Sequence, residues 1–204
     1  MNNVINVDTV PHLTTASSGP IHMLEQHLLD KQIDIESWLR EQWLSTPAAM
    51  TSSVDIRNAG FKLTPVDTNL FPAGFNNLNP EFLPMAITAA QAVVNQRMPN
   101  CKKILIIPES HTRNPFYMQS LARIQDIFNK AGYQTKVGSL LPHLKEPYTI
   151  DLGSDQSILL EPMTLQHDEI VCGDFNPCMI ILNNDLSDGV PDILQQSKQM
   201  ILPS

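Results

Sequence analysis

The sequence predicts an α/β fold: a mixed, largely parallel sheet flanked by helices, with a helical segment at the N-terminus. Two short apolar runs carry this prediction, "ILII" at residues 104–107 and "MIIL" at residues 179–182. Unbroken β-branched runs of this length are typical of strands buried on both faces. A helical pattern follows the first run, and the strand-like "YQTKVGSL" follows the helix. This order predicts a βαβ unit with parallel strands.

The N-terminal third is predicted to be mostly helical. Residues 1–17 carry no clear hydrophobic period, so we expect a loose arm there and a single domain over residues 18–204. The stretch "SGPIHMLEQHLLDKQ" predicts a helix with Pro20 at its first position, and "DIESWLREQWL" predicts a second helix with Asp34 as its N-cap. A third helix, "PEFLPMAITAAQAVVNQRM", begins after Asn79, the residue type that caps helices.

The remaining elements complete the sheet and its cover. "NPFYMQSLARIQDIFNKAG" predicts a long helix with Asn114 as N-cap, Pro115 after it and Gly132 past its end. We expect this helix to cross between the first buried strand and a strand at residues 133–137. "YTIDLGSDQSILLEPM" predicts a hairpin that turns at residues 153–156, and "DILQQSK" predicts a short helix.

Composition narrows the class of protein. Hydrophobic residues make up 42% and charged residues 17%, which indicates a globular chain. The net charge of -8 argues against a nucleic-acid partner, whose phosphates repel an acidic protein. No apolar run approaches the roughly 20 residues of a membrane-spanning helix, and "MNNVINVDTV" lacks the basic and apolar regions of a secretory signal. We therefore expect a cytoplasmic protein with no membrane partner.

Neither the cysteines nor any standard catalytic motif indicates a functional site. Three cysteines, an odd number, predict no disulfide framework and fit a reducing compartment. Cys172 and Cys178 are too far apart for the usual zinc pair, and Cys101 is remote from both. We interpret all three as small buried hydrophobic residues and expect no metal site among them. The sequence contains no P-loop, no dinucleotide glycine fingerprint and no nucleophile elbow.

Polar residues follow both buried strands, where ligands bind in open α/β sheets. The second strand is followed by Asn183, Asn184 and Asp185. The loop after the first strand runs into a helix N-terminus, which favours an anionic group, and its arginine could hold a carboxylate in bidentate fashion. The candidate binding residues in this loop are Glu109, His111, Thr112, Arg113 and Asn114. The alternative is that the asparagine only caps the helix, the glutamate pairs with the arginine, and the histidine is a surface residue.

A second candidate segment is the amide-rich stretch "SVDIRNAGFKLTPVDTNLFPAGFNNLNPEF", which we predict to be one ordered loop. Arginine and asparagine side chains recognise a carboxylate, and aspartates such as Asp55 or Asp67 recognise an ammonium group. The candidate binding residues here are Arg57, Asn58, Asn69, Asn76 and Asn77. The alternative is that these amides only stabilise turns by bonding to nearby backbone. We expect this loop and the loop after the first strand to face one cleft.

Three long motifs resemble one family. "VDIRNAGFKLTPVDTNLFPAGFNNL", "IPESHTRNPFY" and "LNNDLSDGVPDIL" closely resemble the proteobacterial glutamate–cysteine ligase family, which is related to the ATP-grasp superfamily. The similarity covers nearly the whole chain from the first helix onward, and a small apolar residue is expected where Thr64 stands. Proteins of that family continue well beyond a position like Ser204. The resemblance thus implies an N-terminal, pre-ATP-grasp-like domain.

The resemblance also implies a reaction. Such a ligase joins the γ-carboxylate of glutamate to the amine of cysteine in the first step of glutathione biosynthesis. ATP with Mg²⁺ would phosphorylate the carboxylate, and the amine would attack the acyl phosphate. The nucleotide lysines and magnesium carboxylates of such an enzyme are expected in its second half, so we expect this chain to bind the amino acids and to be inactive alone. Two alternatives remain: a non-catalytic amino-acid or peptide binding module, and a plain interaction domain.

Overall fold

The computed structural model describes residues 18–59, 62–109, 114–153, 156–187 and 189–203. The chain divides into two compact units, with the boundary between Asn69 and Leu70. Within the described ranges, no helix is both long enough and apolar enough to cross a membrane. The expected N-terminal arm at residues 1–17 lies outside the described residues. The expected single domain over residues 18–204 stays a prediction.

The first unit contains two helices and a β-hairpin. Its elements are α1 (Pro20–Asp30), α2 (Gln32–Ser45), β1 (Ser53–Asn58) and β2 (Leu63–Asn69). Both predicted helices are confirmed, but the residue at the N-cap of α2 is Lys31. Asp34 instead lies in the first turn of α2, where its carboxylate accepts a hydrogen bond of 3.0 Å from Lys31 Nζ. An acidic side chain is favourable there because it faces the positive end of the helix dipole.

The prediction of one continuous loop from residue 53 is wrong. Strands β1 and β2 pair in antiparallel fashion, with a bulge between Asp55 and Ile56. Valine and isoleucine alternate with polar residues along β1, and this period of two with β-branched side chains favours a strand. The density of short amides concealed this pattern. Both strands are largely exposed, so the hairpin is not a core element.

The second unit is built on a six-stranded sheet. Its helices are α3 (Leu83–Arg97), α4 (Pro115–Lys130) and α5 (Asp192–Gln195). Its strands are β3 (Lys103–Pro108), β4 (Gln134–Ser139), β5 (Tyr148–Gly153), β6 (Gln156–Pro162), β7 (Thr164–Gln166), β8 (Glu169–Val171), β9 (Met179–Asn183) and β10 (Met200–Leu202). The order in the large sheet is β10-β9-β3-β4-β6-β5. All its neighbours pair in parallel except β5, which is antiparallel to β6 at one edge. The predicted α/β fold is confirmed.

The two apolar runs form the central, buried strands, as predicted. The side chains at residues 104–107 and 179–182 are at most 7% exposed. Alternate residues of a strand face opposite sides of a sheet, and one side of β3 and β9 packs with Ile170 of β8 and Leu194 of α5. Helix α4 joins β3 to β4, and its buried stripe includes Met118 and Leu121. Because both faces are covered, the strands tolerate no polar side chain before their ends.

Helix α4 begins and ends as the sequence predicts. Asn114 Oδ1 accepts hydrogen bonds from Phe116 N at 3.1 Å and Tyr117 N at 3.3 Å. Gly132 follows the helix with a φ of 96°, a left-handed conformation that glycine adopts without strain. The N-terminus of the helix is therefore fixed directly beside the end of β3.

Two features of this unit differ from the predictions. Strands β7 and β8 form an unpredicted hairpin whose turn residues, His167 and Asp168, have positive φ angles without being glycine. The expectation that no cysteines pair is also wrong, because Cys101 and Cys178 form a disulfide across a sequence separation of 77. Parallel pairing of β3 with β9 brings these distant residues together, since each precedes one of the two strands. Cys172 is a free, buried cysteine, as predicted.

The burial pattern of β6 yields a paired test of the sheet. Leu160 is fully buried between β4 and β5, whereas its neighbour Leu159 is 44% exposed. We expect Leu160→Ala to lower the free energy of unfolding by about 2–5 kcal/mol, since it leaves a cavity in a packed interior. The control Leu159→Ala should cost less than about 1 kcal/mol. Urea denaturation followed by circular dichroism measures both, and equal costs would contradict the assignment of the faces.

Candidate functional site

The best-placed candidate site lies at the carboxyl ends of β3 and β9. From β3 the chain proceeds through α4 to β4 on one side, whereas β9 and β10 lie on the other side of β3. The sheet order therefore reverses between β3 and β9, and such a switch point is where open α/β sheets bind ligands. Pro108 at the end of β3 is paired with Asn183 at the end of β9. We call Glu109, Tyr117, Asn183 and Asn184 the strand-end cluster.

Tyr117 joins the two strand ends. Its hydroxyl accepts a hydrogen bond of 2.8 Å from Glu109 N and donates one of 2.9 Å to the Asn183 carbonyl. Burial raises the pKa of the Tyr117 hydroxyl well above its usual value, so it keeps its proton and remains a donor. One side chain from the first turn of α4 thereby fixes the start of the loop after β3 against β9.

Asn183 has an unusual environment for an amide. It is only 4% exposed. Its Nδ2 donates a hydrogen bond of 3.2 Å to the carbonyl of Pro72. Its Oδ1 is buried and has no hydrogen-bond partner among the described residues. A buried acceptor without a partner costs about 1–3 kcal/mol, so this oxygen is suited to accept a hydrogen bond from a water molecule or an N–H group of a ligand.

The residues after Asn183 form a tight turn at the rim of the cluster. Asn184 donates from Nδ2 to the Pro108 carbonyl at 3.3 Å and accepts at Oδ1 from Leu186 N at 2.8 Å. Asp185 Oδ1 accepts from Ser187 N at 3.0 Å. Leu186 adopts a left-handed φ of 54°, which this turn requires. Both polar side chains after the strand are thus engaged in holding the loop shape.

A third segment reaches the same region from residues 70–77. The buried Ser120 of α4 accepts hydrogen bonds of 3.1 Å from both Gly74 N and Phe75 N. Ser120 lies one helical turn after Tyr117, so the 3₁₀ turn Phe75–Asn77 is held against α4 near the cluster. The bond from Asn183 to Pro72 joins the same segment to the end of β9.

A polar groove runs along the side of α4 next to this turn. Its volume is about 570 Å³, and it is lined by Asn76, Gln119, Ala122, Arg123, Asp126, Lys130 and Gln156. The two cations both contact one carboxylate: Asp126 Oδ2 lies 3.4 Å from Arg123 Nη1 and 2.7 Å from Lys130 Nζ. Because this ion network is partly exposed, the groove is a weaker candidate than the strand ends.

Four of the predicted site residues lie in the described part of the second unit. Glu109 follows β3, and Asn114 caps α4, so the capping interpretation of Asn114 is confirmed for its side-chain oxygen. Asn76 and Asn77 lie in the 3₁₀ turn, where Asn76 Nδ2 is 3.4 Å from Asn77 Oδ1. The predicted candidates His111, Thr112 and Arg113 lie outside the described residues.

The other three predicted residues belong to the first unit. Arg57 and Asn58 lie at the end of β1, Asn69 ends β2, and the side chains of Arg57 and Asn69 are exposed. That this hairpin faces the loop after β3 stays a prediction.

Sequence reasoning missed two residues that organise the site. Tyr117 and Ser120 lie on a helix whose apolar stripe marks them as core positions. Their polar atoms bond to backbone groups 66 and 46 residues away in sequence. A buried tyrosine or serine usually finds such a partner, but the identity of the partner depends on the folded topology.

The described residues do not fit a metal ion. No group of three or more His, Cys, Asp or Glu side chains among them could hold one. No catalytic step through magnesium is therefore assigned to the described part of this chain.

Comparison with known proteins identifies one matching family and one similar solved structure. The GshA family model, described as glutamate-cysteine ligase, matches residues 25–204. A solved structure from Methylobacillus flagellatus KT, of a protein assigned provisionally as a gamma-glutamylcysteine synthetase, is similar at 48% sequence identity with a TM-score of 0.83. The match covers 95% of this chain and 46% of that one, so the chain spans about half the length of its structural neighbour. A search of curated proteins found no match.

The bridging role of Tyr117 can be tested by removing one atom. We expect Tyr117→Phe to lower the free energy of unfolding by about 1–3 kcal/mol, because the buried Asn183 carbonyl and Glu109 N–H lose their partner. Tyr148→Phe, at a tyrosine that is 57% exposed, is the matched control and should cost less than about 0.5 kcal/mol. Denaturation measures both, and faster hydrogen exchange at Glu109 N should accompany the first.

The raised pKa of Tyr117 also predicts how the stability difference between wild type and Tyr117→Phe depends on pH. The folded pKa of Tyr117 is raised, so its contribution to stability is complete below the unfolded pKa of about 10 and is lost as pH rises above it. The stability difference between wild type and Tyr117→Phe should therefore shrink above about pH 10. A difference that grows with pH would contradict a buried, protonated hydroxyl.

Proposed function

Because the chain belongs to the glutamate–cysteine ligase family, we propose that it forms the amino-acid side of an enzyme that makes γ-glutamylcysteine at the expense of ATP. In that reaction the γ-carboxylate of glutamate is phosphorylated, and the cysteine amine displaces phosphate from the acyl phosphate. This is the first step of glutathione biosynthesis. The substrates, glutamate and cysteine, both carry an ammonium and a carboxylate group, so the site must offer acceptors as well as donors.

The observation that carries the proposal is the buried Oδ1 of Asn183 at the switch point of the sheet, which has no hydrogen-bond partner among the described residues. An ammonium group donates three hydrogen bonds and prefers fixed oxygen acceptors. Asn183 Oδ1 is such an acceptor, and its bond to Pro72 and the pairing of β9 with β3 fix it in position. We propose that it accepts an N–H from a substrate amine, directly or through one water molecule.

The carboxylates require positive or N–H groups. We propose that Arg57 and Arg113 bind substrate carboxylates as bidentate partners, because the guanidinium fork matches a carboxylate in geometry and charge. The remaining proposed substrate contacts are polar side chains from the two candidate segments: Asn58, Asn69, Asn76 and Asn77 from one, and Glu109, His111, Thr112 and Asn114 from the other. The amides position the substrates, and Glu109 supplies negative charge for an ammonium.

Binding of ATP and Mg²⁺ belongs mainly to residues outside this chain, and this division of roles is also part of the proposal. It is supported by the greater length of the structural neighbour and by the poor fit of the described residues to a metal ion. What the chain itself contributes is orientation: it holds the amino acids so that the amine approaches the activated carboxylate. A compartment that supplies ATP, glutamate and cysteine is the cytoplasm, so a cytoplasmic location is part of the same proposal.

Glutamate affinity tests the proposed role of Arg57. We expect Arg57→Ala to weaken L-glutamate binding by roughly ten- to a hundred-fold, because a charge-assisted hydrogen bond contributes about 1.5–3 kcal/mol. Isothermal titration of wild type and variant measures the loss. The matched control is Arg40→Ala on α2, which removes the same charge from an exposed arginine of the first unit. If both variants bind glutamate as wild type does, Arg57 is not a substrate contact.

A further inference from the structure

The disulfide lies at the opposite end of the sheet from the strand-end cluster. Cys101 precedes β3 and Cys178 immediately precedes β9, so the pair joins the amino ends of the same two strands whose carboxyl ends form the site. Their Cα atoms are 5.6 Å apart, within the usual range for a disulfide. The strand pairing itself holds the two backbones at this separation, so the sulfur atoms remain neighbours in either oxidation state.

The surroundings of the two sulfur atoms suit both the oxidised and the reduced form. Lys102 N and Lys103 N point at Cys178 Sγ from 3.2 and 3.4 Å, and two N–H donors stabilise negative charge on a departing or attacking sulfur. The carbonyl oxygen of Lys103 lies 3.1 Å from Cys178 Sγ and 3.4 Å from Cys101 Sγ. In the reduced form this carbonyl can accept an S–H hydrogen bond from either thiol.

The two cysteines differ in access to solvent. Cys101 is 2% exposed, whereas Cys178 is only partly buried. A small reagent therefore reaches the sulfur of Cys178 first, and the buried sulfur of Cys101 can react only with its neighbour. This asymmetry separates an attacking cysteine from a resolving one.

We propose that Cys101 and Cys178 are a reversible thiol–disulfide couple that exchanges with low-molecular-weight disulfides. In the oxidising direction, the Cys178 thiolate attacks one sulfur of the external disulfide, forms a mixed disulfide and releases one thiolate. The Cys101 thiolate then attacks the Cys178 sulfur, forms the internal bond and releases the second thiolate. The two protons lost by the cysteines balance the two released thiolates. The protein is oxidised by two electrons, and the external disulfide is reduced to two thiols.

Cys172 has the opposite properties and provides an internal control. It is fully buried in the core cluster that packs on one face of the sheet. Burial, with a smaller contribution from the nearby Glu161 charge, raises the pKa of the Cys172 thiol to about 12. A thiol in this state does not exchange, so Cys172 should remain a thiol under every condition that switches the other two.

The switch acts on the stability of the sheet. The cross-link closes a segment with a sequence separation of 77 that contains α4 and strands β3 to β8. A disulfide of this span stabilises the fold mainly by restricting the unfolded chain. We therefore expect the oxidised chain to melt roughly 5–15 °C above the reduced chain. The proposal is independent of the amino-acid chemistry at the other end of the strands, and its failure would leave that function untouched.

The test equilibrates the folded chain with graded ratios of 2-hydroxyethyl disulfide and 2-mercaptoethanol. After an acid quench, alkylation under denaturing conditions and mass spectrometry count the free thiols. We expect three thiols in the reduced chain and one in the oxidised chain, with the remaining thiol at Cys172 and full reversal when 2-mercaptoethanol is added. Melting temperatures measured on the same samples should follow the thiol count.

Single variants assign the roles. Cys101→Ser should accumulate a mixed disulfide between Cys178 and the reagent, whereas Cys178→Ser should leave Cys101 unmodified, and neither should show the redox-dependent melting shift. Cys172→Ala should keep the shift. The proposal is overturned if the native cross-link resists reduction until the chain unfolds, if Cys101 is modified before Cys178, or if the shift persists in Cys178→Ser.

Discussion

The parallel pairing of β3 with β9 is the constraint on which the rest of this structure depends. It aligns Ile104 with Met179 at one end and Pro108 with Asn183 at the other. The apolar residues between these ends are covered on both faces, so burial drives the pairing and fixes its register. The polar residues of these two segments therefore lie at the strand ends, where the backbone of one strand meets the side chains that follow the other. The strand-end cluster and the disulfide are the two consequences of this one alignment.

Separate elements fix the strand-end cluster through buried and partly buried hydrogen bonds. Tyr117 connects α4 to both strands, Ser120 holds the 3₁₀ turn against the same helix, and Asn183 holds residue 72. Each bond satisfies a backbone group that burial would otherwise penalise. The exception is Asn183 Oδ1, which has no partner among the described residues. This buried oxygen is therefore available to accept a hydrogen bond from a ligand.

Local sequence patterns were enough to predict the central strands and the long helix of the second unit. Residues 104–107 and 179–182 could be predicted as buried strands because their residues are consecutively apolar. Asn114 and Gly132 mark the ends of α4 because capping acts within one turn. The polar strand ends followed from the same reasoning. The β1–β2 hairpin was not predicted because its alternation of valine and isoleucine is short and the surrounding amides are typical of a loop. The turn between β7 and β8 was not predicted because His167 and Asp168 adopt positive φ angles without the glycine that usually marks such a turn.

Interactions between distant residues could not be predicted in this way. The odd number of cysteines argued against a disulfide, yet strand pairing brings Cys101 to Cys178 and leaves Cys172 alone in the core. In the same way, nothing near Tyr117 in sequence identifies the Asn183 carbonyl as its acceptor. Such contacts depend on the order of strands in the sheet, and that order follows from the packing of the whole unit.

The most direct test of the central claim is to map where an amino acid binds. Titration of the isotopically labelled chain with L-glutamate, followed by amide NMR, reports on the Asn183 side-chain amide, the Glu109 N–H and the groove along α4 in one spectrum. We expect saturable shifts at Asn183 and Glu109, with little change at Arg123 or Lys130. Shifts confined to the α4 groove, or no saturable shift at the ends of β3 and β9, would contradict it.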